Sequence, residues 1–361
     1  MEHLENPERA ERAERAERAE RALVSIQEVL NIIPIEGADV IELAVIQGWQ
    51  CVVKKGEFNI GDTGVFFEVD SFLPIDERYE FTRKTSYRQN EYNGEGFRIK
   101  TIRMRGMLSQ GLFMPTSVFP EISGAHFGDD VTDLLGVKKW VVPEFATSGG
   151  IAKGNRPSGV KPSDEIRIQS DPSMLEDLIG KPYYITTKLD GTSGTVYYLH
   201  GELGACSRNY DIAEGEDALY WKPIFKYGLV DKIPKYIEKS SYGGLVIIGE
   251  IVGPGIQKNR LGLTEPDWYV FDAIVFDVAG GRYAKLAELK MITDELGLKM
   301  VPVEEAGEDF NYSMEELLEK AKGKYSSGKD KEGIVVRSAG EAAIKDVSFK
   351  VLNNDFLLKE E

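Results

Sequence analysis

The residue of this sequence best suited to covalent chemistry is a lysine that ends an apolar run. It is Lys188, in Lys188-Leu189-Asp190-Gly191, and it closes the predicted strand Tyr183–Lys188. A lysine amine becomes a nucleophile once burial and nearby charges leave it neutral. The pattern alone is weak, because Lys-x-Asp-Gly arises by chance in roughly one chain of this length in twelve. A strand that ends in an ordinary Asp-Gly turn is the alternative interpretation.

Five later segments each place a polar or aromatic residue within or at the end of an apolar strand. Taken singly, each has a structural interpretation, since a ring can fill a core and a charged residue can lie on a solvated face. Their order along the chain favours a shared site. The segments are Ser207-Arg208-Asn209, Gly249-Glu250-Ile251-Val252-Gly253-Pro254-Gly255, Trp268-Tyr269-Val270-Phe271-Asp272, Lys331-Glu332-Gly333-Ile334-Val335 and Ser348-Phe349-Lys350-Val351.

Together these segments resemble the six nucleotide-binding motifs of covalent nucleotidyltransferases, the superfamily of polynucleotide ligases and RNA capping enzymes. The resemblance is closest to ATP-dependent RNA ligases that carry an amino-terminal OB module, the deinococcal type. It extends over nearly all of the sequence from residue 23 onward and includes Leu23–Pro74 and Gly249–Lys258. The counterparts that follow Lys188, at +20, +62, +83, +144 and +162, are Arg208, Glu250, Phe271, Glu332 and Lys350.

The resemblance implies a catalytic role for four residues, Lys188, Asp190, Glu332 and Lys350, with Lys345 as a further candidate for binding the nucleotide. Lys188 would attack the α-phosphorus of ATP, and we expect nearby cations and partial burial to lower its pKa toward the neutral amine. Lys350, with Lys345, would bind the α-phosphate and neutralise the charge that grows in the transition state. Glu332 would hold Mg²⁺ or Mn²⁺ through oxygen or water. Asp190 would assist the later steps.

The resemblance also implies four residues that bind the nucleotide or the metal. Glu250 would accept a hydrogen bond from a ribose hydroxyl or join the water shell of the metal, and Phe271 would stack on adenine. Arg208 would contact the nucleotide or the RNA end. Arg167, upstream of the lysine, would contact the triphosphate.

The last motif departs from the family pattern. Many ligases place two lysines two residues apart there, whereas Ser348 and Leu352 lie two residues either side of Lys350. The second lysine of the motif is therefore unassigned, and Lys345 is only a candidate.

The helices and strands predicted around these residues indicate a carboxyl-terminal α+β nucleotidyltransferase domain with antiparallel sheets and flanking helices. One helix is predicted after Asp171-Pro172 and before Gly180, and another from about Lys285 to Leu296. A third begins at Ser313, with Glu316 completing a capping box. The predicted strands are Tyr183–Lys188, Gly194–Leu199, Leu245–Ile251, Tyr269–Phe276, Gly333–Arg337 and Val347–Val351.

The preceding part of the chain has short β-rich runs separated by turn signals, which predict a small barrel. The OB fold is the commonest small barrel that binds oligonucleotides, although other small barrels fit nearly as well. The runs are Val40–Ile46, Gln50–Val53, Gly64–Val69, Phe97–Arg103 and Leu112–Met114. We predict a helical or disordered Glu-Arg-Ala extension at 1–22, an OB-like nucleic-acid-binding module at 23–147, a linker at 148–163 and the nucleotidyltransferase domain at 164–361.

A basic stretch from Arg78 to Arg105 lies in the predicted OB-like module. It holds eight basic and three acidic residues, a net +5, with five interleaved aromatic residues. This composition is typical of a surface that neutralises phosphates and stacks bases. A charged sheet edge whose aromatic residues turn into the core is the alternative. The candidate RNA-binding residues are Arg98, Lys100, Arg103 and Arg105.

The composition limits the possible functions. A net charge of −16 argues against a protein that coats nucleic acid through bulk electrostatics. Two cysteines and three histidines do not supply a recognisable Cys/His metal cluster. No apolar run approaches the roughly 18 residues that span a bilayer, and no apolar signal region opens the sequence. We therefore expect a cytoplasmic monomer with no membrane partner.

The function that these observations predict is that of an ATP-dependent RNA ligase. It would join an RNA 3′-OH to a 5′-phosphate through enzyme-lysyl-AMP and AppRNA intermediates, with RNA or an RNA-containing nicked duplex as its partner. Capping guanylyltransferases and DNA ligases usually carry an OB domain after the last motif, where only eleven residues follow Lys350. A non-catalytic RNA-binding protein would be expected to lose the nucleophile or the metal-binding acid, yet Lys188 and Glu332 are both present.

Overall fold

The computed structural model describes residues 22–141, 149–161, 163–339 and 347–359. The predicted Glu-Arg-Ala extension, apart from its last residue, lies outside this range. The chain divides into two compact units. The first comprises Met1–Pro143 and Ile168–Pro172 with Glu361, and the second comprises Glu144–Arg167 and Ser173–Glu360. None of the described helices is long and apolar enough to cross a membrane.

The first unit is built from short strands in small antiparallel sheets. These sheets have the orders β1-β5-β11, β2-β3-β4, β12-β6-β8-β7 and β9-β10. One α-helical turn, α1, spans Arg83–Ser86. The strands are β1 Val24–Glu28, β2 Asn31–Pro34, β3 Ile41–Ile46, β4 Trp49–Lys54, β5 Thr63–Phe67, β6 Ser71–Leu73, β7 Tyr87–Asn90, β8 Gly94–Arg98, β9 Thr101–Met104, β10 Met107–Gln110, β11 Leu112–Pro115 and β12 Lys138–Lys139.

The predicted single strand Phe97–Arg103 is wrong, because the structure has two strands there. Between β8 and β9, the Ile99 N–H donates to the Ser71 carbonyl and the Ile99 carbonyl accepts from the Asp70 N–H, both at 2.8 Å. These bonds complete the pairing with β6, and the chain then leaves that sheet to form the β9–β10 hairpin. Arg105 and Gly106 turn the hairpin with φ values of 49° and 85°, the left-handed pair that a tight two-residue turn requires.

The second unit contains two large sheets with helices around them. One sheet has the order β13-β18-β17-β16-β19-β20-β21, with β22 alongside β20, and the other has the order β14-β25-β24-β15-β23. The strands are β13 Ala152–Asn155, β14 Ile166–Arg167, β15 Tyr183–Lys188, β16 Thr192–Leu199, β17 Glu202–Cys206, β18 Tyr210–Ile212, β19 Gly244–Val252, β20 Asp267–Asp277, β21 Gly280–Tyr283, β22 Lys299–Met300, β23 Val303–Gly307, β24 Gly333–Ser338 and β25 Ser348–Leu352.

The helices of the second unit support the predicted α+β class. The predicted capping box is confirmed: the Glu316 N–H donates to Ser313 Oγ at 3.2 Å, and the Ser313 N–H donates to the Glu316 carboxylate at 2.8 Å. The helices are α2 Ser173–Leu178, α3 Lys222–Tyr227, α4 Leu229–Lys239, α5 Leu286–Leu296, α6 Met314–Lys320 and α7 Asn354–Leu358.

The core of the second unit forms where apolar strands are covered on both faces. β19 has the sequence GLVIIGEIV and is buried at every residue except Glu250, which is half-buried. A run of this kind is typical of a central strand with packing on each side. Glu250 is therefore the polar exception in an apolar element, and it marks the place where the sheet contributes to a polar site.

The segment predicted as a linker, residues 148–163, is in part a strand of the second unit. Within it, β13 pairs antiparallel with β18, where Asn155 lies opposite Tyr210. Its exposed Gly-rich and Lys-rich composition conceals this role, since an edge strand needs few apolar residues.

Candidate active site

Lys188 and Glu332 form the centre of the site. Lys188 ends β15 and Glu332 immediately precedes β24, and the two strands pair with Lys188 opposite Gly333. Lys188 Nζ lies 2.9 Å from Glu332 Oε2, and both side chains are largely buried. A Cβ at Gly333 would lie 2.1 Å from the Val351 carbonyl oxygen, so the strand can approach β25 only with glycine there.

A single tyrosine hydroxyl joins the backbone of three motif residues. Tyr325 donates from its Oη to the Lys188 carbonyl at 2.8 Å. The same oxygen accepts from the Asp190 N–H at 3.1 Å and from the Glu332 N–H at 3.0 Å. The end of β15, the Asp-Gly turn and the start of β24 are thus tied to one buried atom.

Asp190 is held by a buried arginine. Arg260 Nε donates to Asp190 Oδ2 at 2.8 Å, and the Arg260 guanidinium lies 4.2 Å from the centre of the Phe356 ring. Burial and the nearby Glu332 raise the pKa of Asp190, while Arg260 acts in the opposite direction. Gly191 must follow, because a Cβ there would lie 2.3 Å from the Ile251 carbonyl oxygen.

The charges around Lys188 hold its amine protonated. Burial alone would lower the pKa of Lys188, but the carboxylates of Glu332 and Glu250 outweigh burial and raise it above its usual value. The expectation of a lowered pKa is therefore wrong in this structure, because the carboxylates lie closer than sequence spacing reveals. Burial, together with Glu332 and Asp190, raises the pKa of Glu250 to about 8.

Two further cations lie on the same sheet as Lys188. β25 carries Lys350 between β24 and β14, and Arg167 is its parallel partner on β14. Burial, then the charges of Lys188 and Arg167, lower the pKa of Lys350 to about 7. Buried cations that repel one another in this way would be stabilised by an anionic ligand.

The other sheet contributes an aromatic ring. The pairing of β19 with β20 shifts by one residue, so that Ile248 lies opposite Asp272, Gly249 lies opposite Val270, and Phe271 falls in the bulge. A bulge re-aims the side chain that it carries. The half-buried Phe271 ring has the Arg337 guanidinium 5.7 Å from its centre, and Arg337 in turn pairs with Glu165 at 3.0 Å.

Arg208 follows β17 in a turn that another arginine holds. The Arg208 guanidinium pairs with Asp164. Arg156, from the segment after β13, donates to the carbonyls of Ser207 at 2.7 Å and Arg208 at 3.1 Å. It also donates to the Val160 and Lys161 carbonyls and to Thr195 Oγ1, at 2.9–3.1 Å. The turn is thereby fixed to β16.

Comparisons with known proteins give matches for both parts of the chain. Residues 23–116 match a family model described as an OB-fold domain, and residues 181–352 match one described as RNA ligase. A lysine-to-alanine variant of Naegleria gruberi RNA ligase with ATP and Mn is 33% identical, with a TM-score of 0.84 over 93% of this chain and 98% of that one. The chain belongs to the RNA ligase family.

Other solved structures of the Naegleria enzyme are similarly close to this ligase. A variant with AMP and Mn is 33% identical, with a TM-score of 0.85 over 94% of this chain and 99% of that one. The enzyme with pyrophosphate is 34% identical, with a TM-score of 0.84 over 94% and 98% of the two chains. A search of curated protein sequences gives no significant match. The predicted fold class, an OB-like unit followed by a ligase domain, is confirmed.

The structure gathers most of the site residues of the ligase that the sequence predicts. The five-stranded sheet supplies Lys188, Arg167 and Lys350, with Glu332 at the start of β24. The other sheet supplies Glu250 and Phe271. Arg208 lies after β17, and Asp190 is in the turn after β15. Lys345 lies outside the described residues.

Three residues that position this site were missed by sequence reasoning: Tyr325, Arg260 and Arg156. Each contacts a site residue 52 to 137 positions away, a separation that local spacing does not reveal. Tyr325 alone also has a nearby partner among the motif residues, Glu332, seven residues on. A weak signal existed only for Tyr325, a lone aromatic residue in the polar run 322–332.

The basic stretch of the first unit is less charged than its sequence suggests. Arg78 pairs with Asp76 and Glu121, Arg83 pairs with Glu80, and Arg98 pairs with Asp70. Several of these acids lie outside the stretch, which is why a local count missed them.

The aromatic residues of the same stretch divide between the core and the surface. Tyr79 and Phe97 are fully buried, whereas Phe81 and Tyr92 are 68% and 56% exposed. Arg103 and Arg105 are exposed at the β9–β10 hairpin.

Proposed function

We propose that this RNA ligase uses ATP to adenylylate Lys188 and then joins an RNA 3′-OH to a 5′-phosphate end. In the first step a P–N bond forms between Lys188 Nζ and the α-phosphorus, the bond from that phosphorus to the bridging oxygen breaks, and pyrophosphate leaves. Lys188 first gives up one proton to solvent to become the neutral amine that attacks, and it gives up a second as the P–N bond forms. The adenylate then passes to the RNA 5′-phosphate, and attack by the 3′-OH releases AMP.

The observation that carries this proposal is the buried contact between Lys188 and Glu332, with Lys350 and Arg167 on the same sheet. Lys350 and Arg167 provide positive charge for the α-phosphate and the triphosphate. The lowered pKa of Lys350 shows that its ammonium form is destabilised here, and a bound anion would stabilise it. The Naegleria complexes with ATP, AMP and pyrophosphate support ATP as the donor. Phe271 offers a face on which adenine can stack.

The acidic residues fit a divalent cation that is partly coordinated by substrate. Glu332 and Glu250 are oxygen donors whose mutual repulsion a cation would relieve. Among the described residues no group of three or more Asp, Glu, His or Cys side chains could hold a metal unaided. When bound, Mg²⁺ or Mn²⁺ would neutralise Glu332, the carboxylate in contact with Lys188, and so favour loss of the lysine proton. The manganese in the Naegleria complexes supports this assignment.

Labelled ATP tests the proposed donor and nucleophile. We expect label from α-labelled but not γ-labelled ATP to remain on the protein through a bond that acid breaks and base does not. Lys188→Ala should abolish labelling, whereas Lys290→Ala, at an exposed lysine of α5, should leave it unchanged. Retained labelling in Lys188→Ala contradicts the assignment, and equal labelling by GTP would favour a capping-type enzyme.

We further propose that the first unit positions an RNA-containing nicked duplex through the β9–β10 hairpin. Arg103 and Arg105 lie at its exposed end, and Lys100 precedes it. Arg98 contributes less, because Asp70 neutralises it at 2.9 Å and it stacks on Trp140.

The salt dependence of RNA binding tests this surface. Each phosphate contact that is lost should flatten the slope of log K against log salt by about one unit. Arg103→Ala with Arg105→Ala should therefore weaken nick sealing while Lys188 labelling continues. Lys54→Ala with Lys55→Ala, at another exposed turn, removes the same charge and serves as the control. Equal loss in the control contradicts a specific role for the hairpin.

Two expectations about this protein in the cell follow from the same proposal. We propose that it acts as a cytoplasmic monomer, since one chain carries all of the predicted motifs. Light scattering of the purified protein and fractionation of cells test the two statements separately.

A further inference from the structure

The strongest feature outside the family motifs is the hydroxyl of Tyr325. A phenol has one proton to donate and two lone pairs that accept. Here it donates to Lys188 and accepts from Asp190 and Glu332, so its hydrogen-bonding capacity is complete. The side chain is 8% exposed.

Backbone hydrogen bonds close the loop that carries Tyr325 and hold its ring in the apolar interior. The Tyr325 N–H donates to the Lys329 carbonyl at 2.8 Å, and the Gly328 N–H donates back to the Tyr325 carbonyl at 2.9 Å. The flanking residues Lys324 and Asp330 form an antiparallel bridge. The ring packs with Leu189, Val252 and other apolar residues. A closed hairpin with an apolar anchor holds its hydroxyl at a defined position.

Glu304 makes a second set of contacts, to the residues that immediately precede Lys188 and Glu332. Thr187 Oγ1 donates to Glu304 Oε1 at 2.8 Å, and Lys331 Nζ donates to both Glu304 oxygens at 2.7 and 2.8 Å. Thr187 and Lys331 precede Lys188 and Glu332, respectively. The contacts of Glu304 hold the segments before Lys188 and Glu332 together. The contacts of Tyr325 hold the backbone of Lys188 and Glu332 themselves.

We propose that Tyr325 is a positioning residue for lysine adenylylation, acting through the backbone of Lys188, Asp190 and Glu332. This inference rests on the proposed function. Loss of the hydroxyl leaves one carbonyl and two amides without their partner and releases the constraint that holds Lys188 Nζ at 2.9 Å from Glu332. Because reactivity depends on placement, a displacement of about 1 Å costs on the order of a hundredfold in rate.

Single-turnover labelling with α-labelled ATP tests the proposal on the full chain. We expect Tyr325→Phe to lower the adenylylation rate at saturating ATP by about tenfold to a hundredfold. The ATP concentration for half-maximal rate should change less than about threefold, because the hydroxyl contacts none of the predicted nucleotide-binding side chains directly. A purely structural residue would not produce this separation of rate from affinity.

Tyr227→Phe is the matched control. Its hydroxyl donates to the Asp267 carboxylate at 2.6 Å in the same unit, away from Lys188. It should lose thermal stability and retain the wild-type labelling rate. Wild-type labelling by Tyr325→Phe, or an equal loss of rate in Tyr227→Phe, overturns the proposal.

Hydrogen exchange of the wild-type protein provides a test that does not require the variant to fold. The Asp190 and Glu332 amides should exchange slowly, since Tyr325 Oη accepts from both. Fast exchange at both amides overturns the inference. If the wild-type protein takes no label from ATP, the proposed function fails instead, so the two failures are distinguishable.

Discussion

Replacement of Arg260 by methionine should strongly destabilise the second unit, because it leaves the buried Asp190 carboxylate without its counter-charge. The pair is joined at 2.8 Å and its side chains are 8% and 10% exposed. At a separation of about 4 Å between charge centres and an effective dielectric constant of about 20, the attraction is about 4 kcal/mol. Breaking a buried pair from one side costs about 3–5 kcal/mol. Loss of the contact with Phe356 adds to this.

Hydrogen exchange in urea, followed on peptides of the second unit, measures this free energy of unfolding. We expect Arg260→Met to lower it by about 3–5 kcal/mol, and Asp190→Asn combined with Arg260→Met to recover about half. Arg282→Met is the control, because that arginine is 45% exposed and its pair with Glu288 should contribute less than about 1 kcal/mol.

The destabilisation should also depend on pH. The native pKa of Asp190 lies above its unfolded value, so the native state binds the proton more tightly and stability falls as pH rises between the two values. Removal of Arg260 raises the native pKa further and widens this range. The loss should therefore be larger at pH 7.5 than at pH 5. A loss of under about 1 kcal/mol at pH 7.5, or no recovery in the double variant, would refute the reasoning.

Three further predictions concern separate parts of the second unit. Glu332→Ala should remain folded by circular dichroism and lose most adenylylation, and normal labelling at limiting Mg²⁺ would make Glu332 structural. Arg156→Ala should raise the ATP concentration for half-maximal labelling about threefold or more through Arg208, and Arg156→Lys should not restore it, because an ammonium group lacks the planar fork that reaches several carbonyls. Burial alone would raise the pKa of Asp267, but hydrogen bonds from Lys299 and Tyr227 lower it to about 2. Asp267→Asn should therefore lower the melting temperature at pH 7 by several degrees, with a difference that shrinks as pH falls from about 4 toward 2.

The sequence predicts the residues that gather at the candidate site better than the residues that hold them in place. Lys188, Glu332 and Lys350 were identifiable because their order and spacing resemble the motifs of covalent nucleotidyltransferases, and the structure places all three in or beside one sheet. Arg260 and Arg156 were not, because arginine is common on surfaces and its burial depends on distant backbone groups.

Errors in the fold have similarly local causes. The β-rich run Phe97–Arg103 suggests one strand, yet backbone hydrogen bonds at Ile99 end its pairing with β6, and the rest of the run joins a different sheet. The polar composition of residues 148–163 indicates a linker, yet β13 needs no apolar residues to extend the edge of a sheet. The pKa of Lys188 was misjudged because the sequence shows which charges exist and not which lie nearest.

The pairing of β14 with β25 joins Ile166 to Phe349 and Arg167 to Lys350, across more than 180 residues. Contacts this distant in sequence close large loops and form late in folding. During synthesis on the ribosome, Lys188 emerges well before Glu332 and Lys350, so the nascent chain exposes the proposed nucleophile before the residues that we propose assist it. Under the proposed mechanism, self-labelling by ATP would therefore report that the second unit has been synthesised through β25 and has folded.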